Sequence, residues 1–130
     1  MREYTLFCML KSVVDAPYEI AAPIREFWPQ AEWDNAASIS FLESSWQWDA
    51  RNNSAGQLGV PCGTVIGNEG GVDIMAEDSI GYFQINACNF PTWDPGTLYN
   101  ARQNAGTAHA LWADSGWQPW YFSAQQLGLL

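Results

Sequence analysis

Glu43 stands among bulky apolar residues in the segment FLESSWQW (41–48). Ile39, Leu42 and Trp46 are spaced at i, i+3 and i+7, which predicts an apolar helix stripe that includes Glu43 at i+4 from Ile39. A carboxyl group in such surroundings has a raised pKa when it lacks a charged partner, and a raised pKa suits a general acid near neutral pH. The alternative is a glutamate at the edge of the stripe with its carboxylate in water. Helix periodicity alone slightly favours that alternative.

A second segment combines amides with aromatic rings, in the order Gly81, Tyr82, Phe83, Gln84, Ile85 and Asn86. The glycine allows close backbone approach, the two amides supply donors and acceptors, and the two rings supply flat faces. Such a set suits a polar, uncharged ligand such as an N-acetylated sugar. The alternative is an amphipathic strand with Phe83 and Ile85 inside and the amides in solvent. Taken alone, the segment favours this alternative.

The other titratable residues match no cofactor pattern. His109 lies within a predicted helix and has no serine or cysteine arrangement around it, which indicates a structural role. The acids between 69 and 78 match no calcium-loop spacing and the cysteines match no zinc spacing, so we expect neither a metal nor another cofactor. Cys62 and Cys88 could form a disulfide that leaves Cys8 over, but three buried thiols is the interpretation that the sequence favours.

Length, composition and charge exclude several classes of protein. The chain has 130 residues, 48% of them hydrophobic and 8 of them tryptophan, which indicates a single folded domain over 1–130 and excludes disorder. The formal net charge of −9 excludes a nucleic-acid-binding protein, because such proteins normally present a basic face. No apolar run approaches the ~20 residues of a membrane helix, so we expect no membrane insertion, and we expect a monomer.

The N-terminal segment MREYTLFCMLKSVV (1–14) predicts a first helix rather than a signal peptide. Glu3 precedes its apolar stretch, Lys11 interrupts that stretch, and no A-x-A-like cleavage site follows. The first third of the chain is predicted to be helical. Its helix breaks are expected at three prolines, Pro17, Pro23 and Pro29.

The helix that carries Glu43 is predicted to begin at an N-cap of Asp34 or Asn35 and to run to about Trp46. The region 50–80 that follows is dense in glycine, asparagine and serine. Its short β-prone pieces, TVI and VDIM, predict a small hairpin or an irregular sheet.

Two further helices are predicted near the C-terminus. Alanine, leucine and tryptophan follow the helical period over 100–117, and Gly116 suits a C-terminal stop. The segment YFSAQQLGLL (121–130) predicts a final short helix. The predicted fold class is therefore α+β, mostly helical, with a small irregular β region following the helix that carries Glu43.

Three segments, taken in order, resemble the lysozyme superfamily, especially its goose-type and lytic-transglycosylase branches. The first is Glu43–Trp46, an E-S-x-aromatic segment at a helix end, and the second is Gly81–Asn86, which matches a G-x-F-Q pattern. The third, NARQNAGTAHALWADSGWQPW (100–120), is similar to the helix that phage-borne members place next, which ends in a G-[WF]-x-x-W segment. The resemblance covers roughly residues 34 to 122.

The resemblance implies a lysozyme-like fold and a muramidase that cleaves the β-1,4 bond between N-acetylmuramic acid and N-acetylglucosamine in peptidoglycan. Glu43 matches the family's general acid, which protonates the glycosidic oxygen. The partner would be the glycan strands of bacterial peptidoglycan. The expected substrate-binding residues are those matching the cleft positions together with one aromatic residue that has a polar tip: Ser79, Gly81, Tyr82, Phe83, Gln84, Asn86 and Tyr121.

A second carboxylate is harder to assign. The animal c-type pattern D-x-G-x-x-Q-I-N has an aspartate two residues before the glycine, whereas this chain has Ser79 there and Asp78 one step earlier. Adjacent strand residues face opposite sides, so Asp78 could serve only if a bulge re-aims it. Asp73 and Glu77 are the other candidates.

The resemblance also leaves other functions open. A lytic transglycosylase would form 1,6-anhydro products on the same scaffold with a single carboxylate. A non-catalytic glycan-binding module or a structural virion protein could keep the fold without turnover. Because the tail segment is typical of phage-borne members and no signal peptide is evident, we expect a phage virion or host-cell lysis protein that acts on the cell wall.

Overall fold

Helices and two small antiparallel sheets form an α+β fold, which confirms the predicted class at that coarse level. The computed structural model describes residues 11–90 and 94–130. The α-helices are α1 Tyr18–Phe27, α2 Trp33–Ser44, α3 Ser54–Leu58, α4 Ala101–Ser115 and α5 Tyr121–Gln126. The strands are β1 Arg51–Asn52, β2 Val65–Glu69, β3 Val72–Met75, β4 Ser79–Ile80 and β5 Ile85–Asn86. Short 3-10 turns occupy Val13–Asp15, Gln30–Glu32, Ala87–Asn89, Pro95–Tyr99 and Gln118–Trp120. Most of the predicted first helix, and Cys8 with it, lies outside the described residues.

Two of the three prolines in the first third interrupt helices as predicted, and the third does not. Pro17 precedes α1 and Pro29 follows it. Pro23 lies inside α1, so the break predicted there is wrong. A proline within a helix loses one backbone hydrogen bond. Here its ring is buried together with Ile20 and Ile24, and this apolar burial offsets the loss.

The helix that carries Glu43 begins slightly earlier than predicted. Its N-cap is Glu32 rather than Asp34 or Asn35. The Asp34 carboxylate instead accepts hydrogen bonds from Ser12 Oγ at 3.0 Å and Val13 N at 2.9 Å. Asp34 therefore anchors the preceding turn to α2.

The same helix ends two residues before the predicted Trp46. Ser45 and Trp46 adopt left-handed backbone conformations, with φ of 54° and 62°, so the helix cannot continue. Ser44 Oγ donates to Tyr82 O at 2.8 Å and ties this end to the β region. The ring centroids of Trp46 and Phe41 are 4.9 Å apart, so Trp46 packs against α2 although its backbone lies beyond the end of the helix.

The β region consists of a hairpin and a three-stranded sheet. Strands β2 and β3 pair around the Gly70–Gly71 turn, which confirms the hairpin predicted from TVI and VDIM. The sheet has the order β1-β4-β5, and Ser79 lies opposite both Asn52 and Asn86. The amphipathic strand that the segment 81–86 favours when taken alone is instead a tight turn followed by β5.

A disulfide between Cys62 and Cys88 clips the β region together, so the prediction of buried free thiols is wrong for this pair. The two cysteines are 26 positions apart in the sequence, and the segment between them contains the hairpin and both β4 and β5. A crosslink of this kind stabilises the fold mainly by restricting the unfolded chain.

The C-terminal helices follow the predicted pattern. The Asn100 side chain caps α4 by accepting from Gln103 N at 3.0 Å, and Gly116 ends it with a φ of 61°. Midway along α4, His109 packs on its neighbours Phe27 and Trp28. Within the described ranges, no helix is long and apolar enough to cross a membrane.

Candidate active site

Glu43 lies in the last turn of α2 and faces a cleft between the β region and the C-terminal segment. The cleft consists of an outer cavity of about 420 Å³ and an inner cavity of about 230 Å³. Both cavities are lined by Glu43, Glu77, Pro119 and Trp120, so these four residues lie where the two halves meet. The two carboxyl groups thus stand at the centre of the cleft.

The two halves of the cleft differ in chemistry. The outer half lies between the hairpin and the start of α5, and is otherwise lined by Glu69, Val72, Asp73, Ile74, Met75, Tyr121 and Phe122. The inner half is mainly neutral, and is otherwise lined by Ser79, Gln84, Ile85, Asn86, Asn89 and Leu111. Among the described residues, no lysine or arginine lines either half. The described lining of the cleft therefore offers apolar surface, amides and carboxyl groups without a cationic group.

Burial raises the pKa of the Glu43 carboxyl, as the sequence predicts for an acid on an apolar stripe. A hydrogen bond from Ser123 Oγ to Glu43 Oε2 acts in the opposite direction, and the nearby charge of Glu77 raises the pKa again. Burial is the largest of these effects, so the carboxyl holds its proton to a higher pH than an exposed glutamate does.

Glu77 is the second carboxyl group in the cleft. Burial also raises its pKa, and hydrogen bonds from Ser79 and Asn52 oppose that effect, the Asn52 Nδ2–Glu77 Oε1 distance being 2.8 Å. Its backbone N donates to Ser54 Oγ at 2.9 Å. Strand β4 and the start of α3 together hold Glu77 towards Glu43.

Of the other two candidate carboxylates, Asp78 lies outside the cleft, which corrects its assignment, and Asp73 lies in the outer half. Asp78 makes a two-pronged ion pair with Arg51, with N–O distances of 2.9 Å, and does not line the cleft. Glu77 and Asp78 both precede β4, and the ion pair with Arg51 of β1 holds the Asp78 side chain outside the cleft that Glu77 lines. Asp73 lines the outer half at an exposed position and accepts from Asn68 at 3.0 Å.

Tyr82 and Phe83 do not line the cleft, so their predicted contact with a ligand is wrong. Both side chains are 0% exposed and belong to the core. The Phe83 ring stacks on Trp28 at 5.1 Å, and the Tyr82 hydroxyl donates to Ile20 O at 3.5 Å. The tight turn at 81–84 directs both rings inward, which a regular strand could not do.

Gly81 is also buried, and its role is structural. With a φ of +79° it faces Asn104, whose Nδ2 donates to Ile80 O at 2.8 Å and to Leu98 O at 2.9 Å. Asn104 Oδ1 accepts from Phe83 N at 3.1 Å. The turn is thus fixed on α4 by one fully buried amide, which leaves no room for a side chain at Gly81.

Ser79, Gln84 and Asn86 line the inner half as predicted, and Tyr121 lines the outer half. Gln84 Nε2 donates to the backbone oxygens of Ala50 and Gly81, at 3.3 and 2.9 Å, so its Oε1 is the acceptor that it offers. Asn86 Oδ1 accepts from two backbone N–H groups, so its Nδ2 is the donor that it offers. Gln84 therefore offers a hydrogen-bond acceptor and Asn86 a hydrogen-bond donor in the inner half of the cleft.

Sequence reasoning missed Ser123, Asn89, Pro119 and Trp120 as residues of the site. The segment WQPW (117–120) could have indicated Pro119 and Trp120, because it places two aromatic rings and a proline between two predicted helices. Trp120 Nε1 donates to Phe83 O at 2.8 Å, which fixes this wall of the cleft. Ser123 carried no local signal.

A larger groove of about 860 Å³ lies along α4. Phe27, Phe90 and Leu111 form its apolar floor, while Asp94 and Asp114 stand at its exposed rim. Of its lining residues in the described ranges, none is a buried acid, whereas the smaller cleft contains two carboxyl groups whose pKa values are raised by burial. In the described ranges, no three His, Cys, Asp or Glu side chains are grouped as a metal site would require.

Glu43→Gln is expected to melt at a higher temperature than wild type, and this difference should grow as the pH rises from about 4.5 towards 7. Above the unfolded pKa of 4.5, the unfolded chain gives up the Glu43 proton while the folded protein retains it, so the free energy of unfolding falls with increasing pH. The variant has no proton to lose at this position, so its free energy of unfolding does not fall for this reason. Differential scanning calorimetry should show a gain of roughly 3–6 °C for each ~1 kcal/mol. A gain that is equal at pH 4 and pH 7 would contradict the raised pKa.

Comparison of the chain with protein-family models, with curated proteins and with solved structures finds no match in any of the three. The case for a function therefore rests on the cleft and on the sequence motifs.

Proposed function

We propose that this protein is a peptidoglycan-degrading muramidase in which Glu43 is the general acid. The observation that carries the proposal is the pair Glu43 and Glu77, one largely buried and one half-buried carboxyl group, both with raised pKa values, at the centre of one cleft. Keeping two such groups partly desolvated costs stability, and acid–base catalysis is the function that uses them in that state. The motif order and the helix–β region–helix arrangement support a lysozyme-like fold.

In this proposal the two carboxyl groups divide the work of hydrolysis. Glu43 gives its proton to the glycosidic oxygen, the bond from that oxygen to C1 breaks, and the electron pair stays with the leaving sugar. Glu77, as a carboxylate, takes a proton from the water that adds to C1. The proton lost by Glu43 is thus balanced by the proton gained by Glu77.

The inner half of the cleft supports an N-acetylated sugar as ligand. An acetamido group has one N–H donor and one carbonyl acceptor. Gln84 Oε1 can accept from the first and Asn86 Nδ2 can donate to the second. Tyr121 and Phe122 offer aromatic faces to a sugar ring in the outer half.

Hydrolysis is favoured over transglycosylation because Glu77 stands beside Glu43. A lytic transglycosylase needs only one acid, since the 6-hydroxyl group of the substrate replaces water. A binding module or virion scaffold has no use for two neighbouring carboxyl groups whose pKa values are raised by burial. The likeness of the 100–120 segment to phage-borne members favours a virion or lysis protein acting on the cell wall.

Product analysis on purified peptidoglycan tests the proposal. Wild-type protein should reduce the turbidity of the suspension and release fragments with reducing N-acetylmuramic acid ends. Mass spectrometry separates these from 1,6-anhydro ends, which would show transglycosylation instead. If wild-type protein releases no fragments but still sediments with the glycan, the binding-module alternative holds.

Glu77→Gln is expected to lower kcat by about 10- to 1000-fold, because the attacking water loses its base. Asp78→Asn is the matched control, being the next residue in the chain and an acid that pairs with Arg51 outside the cleft. That variant should keep kcat within about threefold, because exposed ion pairs contribute little. Initial rates of reducing-end release measure both. A larger loss from Asp78→Asn than from Glu77→Gln would contradict the assignment of the base.

A further inference from the structure

Ser123 is a buried serine whose hydroxyl forms a hydrogen bond with the Glu43 carboxyl group. It lies in α5, is 5% exposed, and its Oγ donates to Glu43 Oε2 across 80 residues of sequence. Leu127 N donates to Ser123 O at 3.1 Å, and the Leu127 side chain is buried in the core. The hydroxyl is therefore held in a fixed position relative to the carboxyl group.

A donated hydrogen bond distinguishes the two oxygens of a carboxyl group. In the neutral form one oxygen carries the proton, and the other is a carbonyl oxygen that accepts hydrogen bonds. We propose that Ser123 is a positioning residue for Glu43: its hydroxyl holds Oε2 as the acceptor and so keeps the transferable proton on Oε1. The inference rests on the proposed role of Glu43 as general acid, and it assigns the atom from which the proton leaves.

The same hydrogen bond becomes stronger as the proton leaves. When Oε1 protonates the glycosidic oxygen, Glu43 becomes a carboxylate, and a hydrogen bond to an ionised acceptor is roughly twice as strong as one to a neutral acceptor. Ser123 thus stabilises Glu43 more after proton transfer than before it, which lowers the barrier. It also limits how far burial raises the pKa of Glu43.

The test compares Ser123→Ala with Ser123→Thr, which keeps a hydroxyl group, and with Ser40→Ala. Ser40 is a matched control because it is a fully buried serine on α2 whose hydroxyl donates to Ala37 O rather than to Glu43. The first readout is the infrared carbonyl stretch of protonated Glu43, isolated by subtracting the spectrum of the same protein with Glu43→Gln. The second is the pH profile of kcat/KM on purified peptidoglycan.

In Ser123→Ala the carbonyl stretch should move to higher frequency, because Oε2 loses its donor. The alkaline limb of the pH profile should move up by about one pH unit, and kcat should fall about tenfold. Ser123→Thr should restore both readouts, and Ser40→Ala should leave both unchanged. An unchanged stretch in Ser123→Ala, or the same shift in Ser40→Ala, would overturn the inference. Absence of cleavage by wild-type protein would instead overturn the muramidase proposal, while the infrared readout would still decide the role of Ser123.

Discussion

Glu43→Gln is expected to lower the rate of peptidoglycan cleavage by at least about 100-fold, and up to about 10 000-fold, because an amide cannot supply the proton that the leaving sugar requires. The substitution keeps the size and shape of the side chain. Its carbonyl oxygen can still accept from Ser123, so the local packing is retained. Binding of the glycan should therefore persist while turnover is lost. Reducing-end release measures turnover, and co-sedimentation with insoluble peptidoglycan measures binding.

The control for this variant is Glu19→Gln, which makes the same change of charge on the exposed surface of α1, outside the cleft. Its cleavage rate should stay within about twofold of wild type, since isolated surface charges contribute little. If Glu43→Gln cleaves peptidoglycan as fast as Glu19→Gln does, Glu43 is not the acid. If it loses binding together with cleavage, Glu43 acts on the ground-state complex rather than on the proton transfer.

The predictions of fold that held depend on local signals. Helix α4 is bounded by a side-chain cap at Asn100 and a stop at Gly116, both of which act within one turn of the chain. The errors arose where distant parts of the chain decide the outcome. Pro23 stays in α1 because its ring is buried in the core, and Trp46 leaves α2 where Ser44 is tied to the β region.

The site shows the same division between local and distant causes. Glu43 was found because its motif and its apolar neighbours are contiguous in the sequence. The choice between Glu77 and Asp78 depends on which of them faces the cleft, and that is set by the pairing of β1 with β4, which brings Arg51 to Asp78. Neither strand is long enough to reveal its register by periodicity.

The burial of both the Tyr82 and the Phe83 side chains could not be predicted from the sequence pattern either. Alternation predicts that neighbouring strand residues face opposite sides, and only a turn can bury both rings. Gly81 and Gln84 supply that turn, with positive φ at both positions, and Gln84 adopts it although it has a side chain. A glutamine gives no sequence signal for a left-handed conformation. Burial of the two rings ties the cleft wall to the core.

Gly81→Ala is expected to destabilise the protein by about 3–5 kcal/mol, or to prevent folding, which is the range of severe overpacking combined with backbone strain. A Cβ atom at this position would overlap Asn104 Nδ2 and lie 2.7 Å from Leu98 O. Asn104 cannot move aside without breaking its bonds to Ile80, Leu98 and Phe83. The left-handed φ of +79° adds strain for any residue that has a side chain.

Gly59→Ala separates the two causes, because Gly59 has a similar φ of +66° but nothing within 4 Å of an added Cβ. That variant should lose only about 1–2 kcal/mol, the cost of the backbone conformation alone. Urea unfolding followed by tryptophan fluorescence gives both values. The difference between the two variants then measures how tightly Asn104 holds the turn that carries Ser79, Gln84 and Asn86 along the cleft. Equal losses of unfolding free energy in the two variants would show that the turn can shift to accommodate a side chain, and that α4 does not hold the inner half of the cleft in place.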